Sequence, residues 1–227
     1  MEKVVISLGG SILIPGDRDG TFLHDFASML RTVIDDRELF VVCGGGRIAR
    51  YYITTGRELG AGEDELDEMG IEVTRLNARL LQVALGDLAC DTVPRTIEET
   101  ASRGQRGRVA VMGGTTPGHT TDGVSAALAE KVGASRIVNA TSVDGVYTSD
   151  PHKNKDCVKY EHMTFDELGR MMGKGKHGAG NSHVFDPLGA EIVKRCRIPI
   201  LVVDGRDLDD MRNAILGQRI KGTVIDG

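Results

Sequence analysis

Five runs of the chain are apolar at consecutive positions instead of alternate ones: residues 3–8 (KVVISL), 38–43 (ELFVVC), 108–112 (RVAVM), 136–140 (RIVNA) and 198–203 (IPILVV). A strand with one wet face alternates, so these runs belong in a parallel sheet covered by helices on both sides. Between them apolar residues recur at helical spacing over residues 21–34, 47–60, about 65–85, 121–132, 165–172 and 186–196. This alternation of strand and helix predicts an α/β fold, a doubly wound sandwich that binds ligands at the carboxyl ends of its strands. No long linker or repeat divides the chain. The most irregular stretch, residues 173–183 (GKGKHGAGNSH), is predicted as a loop or lid.

Glycine punctuates the pattern at equivalent places. LGGS (8–11) follows the first strand, GGGR (44–47) the second and GGTTPGH (113–119) the third. A glycine run at a strand's carboxyl end turns the chain tightly and presents backbone N–H groups, and the next helix adds the positive end of its dipole. One such turn is an ordinary connection. Three at one sheet edge, the second carrying Arg47 and Arg50 and the third threonines and His119, make a phosphate-binding surface the expectation. The pattern GxxxxGK[ST] is absent, so this is not a P-loop. GKGKHG (173–178) has dinucleotide-type glycine spacing but follows a helical stretch, which argues against that use.

At 227 residues, 40% hydrophobic and 27% charged, the chain is long enough to bury a proper core. No window is long and apolar enough to span a bilayer and a strand starts at once, so a cytosolic location is expected, with no membrane partner. A formal charge of −5, 4% aromatic residues and no Trp argue against a nucleic-acid surface. Cys43, Cys90, Cys157 and Cys196 form no CxxC pair and lack His neighbours at zinc spacing, so they read as buried reduced thiols and not as metal ligands.

ISLGGS (6–11), VVCGGGRIAR (41–50), MGGTTPGHTTD (112–122), TSVDGVYTSDP (141–151) and FDPLGAEI (185–192), in this order and spacing, resemble the amino acid kinase family, and within it the archaeal-type uridylate (UMP) kinases. The resemblance spans nearly the whole chain. It implies a single domain over 1–227, a three-layer αβα sandwich around a mainly parallel sheet, with an acceptor-binding part over roughly 1–120 and an ATP-binding part over roughly 121–227. It further implies transfer of the ATP γ-phosphoryl group to UMP, giving UDP and ADP in pyrimidine nucleotide biosynthesis, with Mg²⁺ accompanying ATP. Such chemistry asks the protein mainly to hold two phosphate groups in line and neutralise their charge.

By this resemblance ATP would lie on Ser7, Leu8, Gly9, Gly10, Ser11, Gly46 and Arg50, with Thr141, Ser142, Tyr147 and Asp150 around its nucleoside. UMP would take Gly45, Asp67, Thr115, Thr116, Pro117, Gly118, His119, Thr120 and Thr121. A carboxylate such as Asp67 can accept hydrogen bonds from both ribose hydroxyls, but it is equally a helix-start charge beside Asp64 and Glu65. His119 reads as a loop histidine bonded to backbone in preference to a catalytic base.

Many family members carry a lysine at the position of Ser7, and a serine hydroxyl cannot neutralise a transferring phosphoryl group. Arg50, Lys174 and Lys176 are the candidate replacement cations. Asp186 has two readings: an N-cap worth about 1 kcal/mol, or, by resemblance, an organiser of the catalytic centre. Family UMP kinases assemble as homohexamers, and Ile71, Leu76 and Leu80 on the long helix either serve an interface or face the core. Two alternatives stand beside this reading. One is an isopentenyl phosphate kinase of the same fold, disfavoured by the polar TTPGHTT; the other is a nucleotide-binding regulatory relative, favoured only by the missing lysine.

Overall fold

The computed structural model describes residues 1–17, 19–151, 153–173 and 185–227. In chain order its elements are β1 (Glu2–Leu8), the single turn α1 (Gly10–Leu13), α2 (Asp19–Arg31), β2 (Arg37–Cys43), α3 (Gly46–Glu58), α4 (Glu63–Leu85), α5 (Ile97–Ser102), β3 (Val109–Met112), α6 (Thr121–Val132), β4 (Arg136–Thr141), β5 (Val146–Tyr147), β6 (Lys159–Tyr160), β7 (His162–Thr164), α7 (Phe165–Gly173), α8 (Pro187–Cys196), β8 (Ile200–Asp204), α9 (Leu208–Leu216) and β9 (Thr223–Asp226). The main sheet has the order β3-β2-β1-β4-β8-β9-β7, and β5 pairs with β6 apart from it. Within the main sheet only β8 and β9 pair antiparallel among the described residues.

Both faces of the sheet are covered, which is why its central strands carry no polar alternation. Val4, Ile6 and Leu8 of β1 pack with Leu23, Phe26 and Leu30 of α2, Ala78, Leu81 and Leu85 of α4, and Met211 and Ile215 of α9. Val5 faces the other way, into the layer that holds Val124 and Leu128 of α6, Leu168 of α7 and Val193 of α8. Ser7 shares that second face with Val5, because side chains on a strand alternate.

The chain begins in the middle of the sheet, runs outward through β2 and β3, then returns to β4 on the opposite side of β1. That reversal between β1 and β4 opens a crevice at the carboxyl ends of the strands, the usual ligand position in open α/β sheets. The three glycine turns follow β1, β2 and β3, which are neighbours, so the turns do share one sheet edge.

The elements not expected from the sequence are small: α1, α5, α9, the β5–β6 pair, and the outer strands β7 and β9. The helix expected over residues 21–34 ends at Arg31. Val33 and Ile34 remain 3% and 2% exposed because the turn after α2 still feeds the core, so their spacing looks helical although their backbone is not.

Candidate active site

The first two glycine turns lie against each other. Gly9 N–H donates to Ala140 O at 3.0 Å and Gly44 N–H to Leu8 O at 2.9 Å, so both prolong the ladder that links β4, β1 and β2. A Cβ on Gly10 would sit 2.2 Å from Gly46 N, and one on Gly46, whose φ is +60°, would sit 2.4 Å from Gly10 C. Close approach of two backbones is therefore a second reason for these glycines, beyond the presentation of N–H groups. The amides that open α1 and α3, at Ser11 and Arg47, sit just past this junction, where a helix start supplies no intrahelical partner.

The third turn is built onto α4. Gly114 N–H donates to Thr74 Oγ1 at 2.6 Å, and Gly118 N–H to Asp67 Oδ2 at 2.8 Å. Gly113 lies so near α4 that a Cβ there would be 2.6 Å from Arg75 N. Asn77, 3% exposed, donates through Nδ2 to Gly44 O at 2.8 Å, so the same helix also holds the second turn. Between α3, α4 and the third turn lies a cleft of about 290 Å³. Its walls include Gly45, Asp67, Thr116, Pro117, Gly118, His119, Thr120 and Thr121, together with Gly46 and Arg50. Thr115 is next to this wall without lining it.

Of the other expected residues, Ser7, Leu8, Thr141 and Ser142 lie at the ends of β1 and β4, and Tyr147 and Asp150 lie in and just after β5. Gly205 N–H donates to Thr141 O at 2.8 Å, and Arg206, paired with both oxygens of Asp204 at 2.8 Å, donates to Ser142 O at 2.9 Å. Tyr147 gives its phenolic proton to Asp144 Oδ1 at 2.6 Å, and this bond pushes the Tyr147 pKa up to about 12. Asp150 accepts the amides of Lys153 and Asn154 on its carbonyl, closing the turn that carries it. Ser7 and Leu8 have side chains 1% and 0% exposed, so they form the buried floor beneath the glycine junction.

Between these two groups two carboxylates converge on the start of α6. Ser7 Oγ donates to Asp122 Oδ1 at 3.0 Å. Burial pushes the Asp122 carboxyl up to about 7, the Ser7 bond opposes that rise, and the negative charge of Asp186 adds to it. Asp186 caps α8, accepting Gly189 N–H on Oδ1 at 2.7 Å, and takes the Thr120 hydroxyl on Oδ2. Among the described residues no three His, Cys, Asp or Glu side chains are grouped to hold a metal ion. Two oxygen donors are nevertheless what Mg²⁺ uses when substrate phosphates and water complete its shell, so this pair fits a cation that arrives with a nucleotide.

A model of the amino acid kinase family matches residues 2–204. The chain belongs to the amino acid kinase family. It is 45% identical to the uridylate kinase of Methanoculleus marisnigri over 225 residues, which cover 99% of this chain and 96% of that one. It is 41% identical to the uridylate kinase of Methanocaldococcus jannaschii over 227 residues, 99% and 100% of the two chains. The crystal structure of uridylate kinase from Archaeoglobus fulgidus superposes with a TM-score of 0.87 at 40% identity, covering 99% and 100%. That of UMP kinase from Bacillus anthracis, at 23% identity, shares the fold with a TM-score of 0.81 over 99% and 96%.

In this amino acid kinase Gly46 belongs both to the cleft wall and to the glycine junction with Gly10. Lys174 and Lys176 lie outside the described residues, as does most of the GKGKHG stretch, leaving Arg50 as the candidate cation seen at the cleft. Thr74, Arg75 and Asn77 were not singled out from the sequence, since a polar residue inside a long amphipathic helix carries no mark of which loop it will meet. Asp122 stood in view at the end of MGGTTPGHTTD, but its pairing with Ser7 across 115 residues appears only in three dimensions.

Proposed function

We propose that this chain is a uridylate kinase that transfers the γ-phosphoryl group of ATP to UMP, giving UDP and ADP. The observation that carries this reading is the cleft walled by Asp67, Gly45 and the loop from Thr116 to Thr121, polar along the loop and open to Arg50. Relatives bearing the name uridylate kinase at 40–45% identity over nearly the full chain support it. The loop's hydroxyls suit a nucleotide, while Ala49, Ile53 and Ile71 line the cleft as well, so an isopentenyl phosphate acceptor is separated by the assay below.

In this reading UMP binds in the cleft, with Gly45, Asp67 and residues Thr115 to Thr121 as its contacts. ATP lies over Ser7 to Ser11, Gly46 and Arg50, with Thr141, Ser142, Tyr147 and Asp150 beside its nucleoside. The acceptor part is then roughly residues 1–120 and the ATP part roughly 121–227, the strand-1 turn excepted. Asp67 offers one oxygen beyond the one that takes Gly118 N–H, enough for a ribose hydroxyl. Arg50, and the lysines at 174 and 176, supply positive charge to the phosphates. Mg²⁺ bound with ATP would neutralise phosphate charge, and Asp122 and Asp186 are the side chains that would hold it. Asp186 also fixes Thr120 at the cleft's end, which links the two nucleotide sites.

Self-association belongs to the same proposal. Met69, Leu76, Leu80 and Val83 are 38%, 61%, 44% and 70% exposed along one side of α4, whereas Ile71, at 9%, faces inward. Met69 and Val83 lie seven residues on either side of Leu76. Two copies laid antiparallel about Leu76 would set Met69 of each against Val83 of the other, apolar to apolar. Such a dimer is the unit from which a homohexamer of the family type would be assembled. We place the reaction in the cytosol, in pyrimidine nucleotide synthesis; among the described residues no helix is long and apolar enough to cross a membrane.

The test is a coupled ADP-release assay with ATP, Mg²⁺ and a panel of UMP, CMP and isopentenyl phosphate. Rapid turnover with UMP alone is expected. Preference for isopentenyl phosphate, or nucleotide binding without turnover, would overturn the reading.

A further inference from the structure

Arg75 reaches from the middle of α4 to the back of the third glycine turn. Its Nε donates to Gly114 O at 3.3 Å and its Nη2 to Thr115 O at 3.2 Å, while Nη1 is held by Glu72 Oε1 at 2.6 Å. All three guanidinium nitrogens are engaged, and the side chain is only 17% exposed. Thr74 Oγ1, which donates to Ile71 O, accepts Gly114 N–H, so Gly114 is gripped at both its amide and its carbonyl by consecutive residues of one helix.

Gly114 and Thr116 line the cleft and Arg75 does not, so the loop runs between the guanidinium and the cleft. In a trans peptide C=O and N–H point in opposite directions. With the carbonyls of Gly114 and Thr115 turned toward Arg75, the N–H groups of Thr115 and Thr116 are turned away from it, toward the cleft side. The positive charge on the carbonyl ends also polarises both peptide units, which strengthens those N–H groups as donors.

We propose that Arg75 is a positioning residue of the acceptor site: its fork holds two carbonyls so that the loop presents the following two amides on the side where the acceptor nucleotide binds. The identity of that acceptor rests on the uridylate kinase reading above; the orientation of the loop does not. A lysine cannot replace the fork, since one ammonium on a flexible stem does not fix two carbonyls and a carboxylate in a common plane.

The experiment compares the full-length chain with Arg75→Met and Arg75→Lys. Initial rates are measured with UMP varied at saturating ATP and with ATP varied at saturating UMP, beside amide hydrogen exchange of residues 113–120 without nucleotide. For Arg75→Met we expect the KM for UMP to rise about tenfold or more, with the KM for ATP within about twofold and kcat within a few-fold, the split expected when binding of one substrate alone is weakened. Exchange of the loop amides should accelerate. Arg75→Lys should show the same split in weaker form, and serves if the methionine variant fails to fold. An unchanged KM for UMP, or equal rises for both substrates, overturns the proposal, the second because a general loosening of the fold would do that. If the unaltered protein turns over no UMP, the functional reading fails by itself, and loop exchange decides the inference: faster exchange in Arg75→Met sustains it and unchanged exchange overturns it.

Discussion

Ser7 and Asp122 are joined by a hydrogen bond of 3.0 Å that ties the end of β1 to the first turn of α6. Here an uncharged hydroxyl faces the carboxyl, and one neutral hydrogen bond does not offset the cost of keeping a charge out of water, so the group holds its proton to about pH 7.

The raised pKa has a sign that stability can test. A carboxyl that titrates near 7 when folded and near 3.8 when unfolded binds protons more tightly in the folded state, so its contribution falls as pH rises between those values and is level above about 7. Asp122→Asn stays neutral throughout. Its melting temperature relative to the unaltered protein should therefore climb by on the order of 5 °C between pH 5.5 and pH 8, in the absence of nucleotide and Mg²⁺. A difference that does not change with pH would show that Asp122 is already ionised at the lower value.

Asp186 separates capping from chemistry. Asp186→Ala loses the side chain that accepts Gly189 N–H at 2.7 Å, and should cost about 1 kcal/mol in denaturant unfolding. Asp186→Asn keeps most of that cap. If the carboxylate organises the transferring phosphates, the Asn variant should still lose on the order of a hundredfold in kcat at saturating UMP and ATP. Turnover near normal would reduce Asp186 to its structural role.

The glycine junction should tolerate no side chain. Gly10→Ala would drive a Cβ to 2.2 Å from Gly46 N, so we expect a loss of several kcal/mol or failure to fold. Gly118→Ala meets nothing within 4 Å and suffers only its φ of +80°, a penalty of about 1 kcal/mol. Urea unfolding of the two variants measures the contrast, and similar small losses for both would mean that the two turns can part.

Leu76 sits at the centre of the exposed stripe on α4. Leu76→Glu should convert the associated form to monomer in sedimentation velocity at micromolar concentration while leaving the far-UV CD spectrum intact. A monomeric unaltered protein under those conditions would refute the proposed assembly.

The layers and the site's outline were legible because they depend on patterns that a linear reading can see. The runs at 3–8 and 38–43 are apolar throughout since helices cover both faces, and α6 was bounded at Thr121 and Val132 by the Thr120 cap and Gly133. Outer strands such as His162–Thr164 escaped because three residues, exposed at both ends, hold no period. The site's contents were legible only where backbone chemistry marks them. Glycines announced the turns, but that Gly10 and Gly46 touch, or that Thr74, Arg75 and Asn77 grip two of the turns, depends on which helix packs behind them. Ile71 and Leu76 show the same limit: both are apolar on one helix, and only packing says that one is 9% exposed and the other 61%.

The central place of β1, ahead of both its partners in chain order, has a consequence for synthesis. β1 meets β2 within the first 43 residues, but its other edge waits for β4, whose pairing Leu8↔Ala140 joins residues more than a hundred apart. Until then a growing chain carries a central strand with one row of amides and carbonyls unpaired, and such an edge invites another chain. The half that holds β2 and β3 emerges first, and the floor beneath the glycine junction closes late, when Gly9 finds Ala140. Folding should therefore be slowest, and aggregation during refolding most concentration-dependent, at the step that docks β4 against β1.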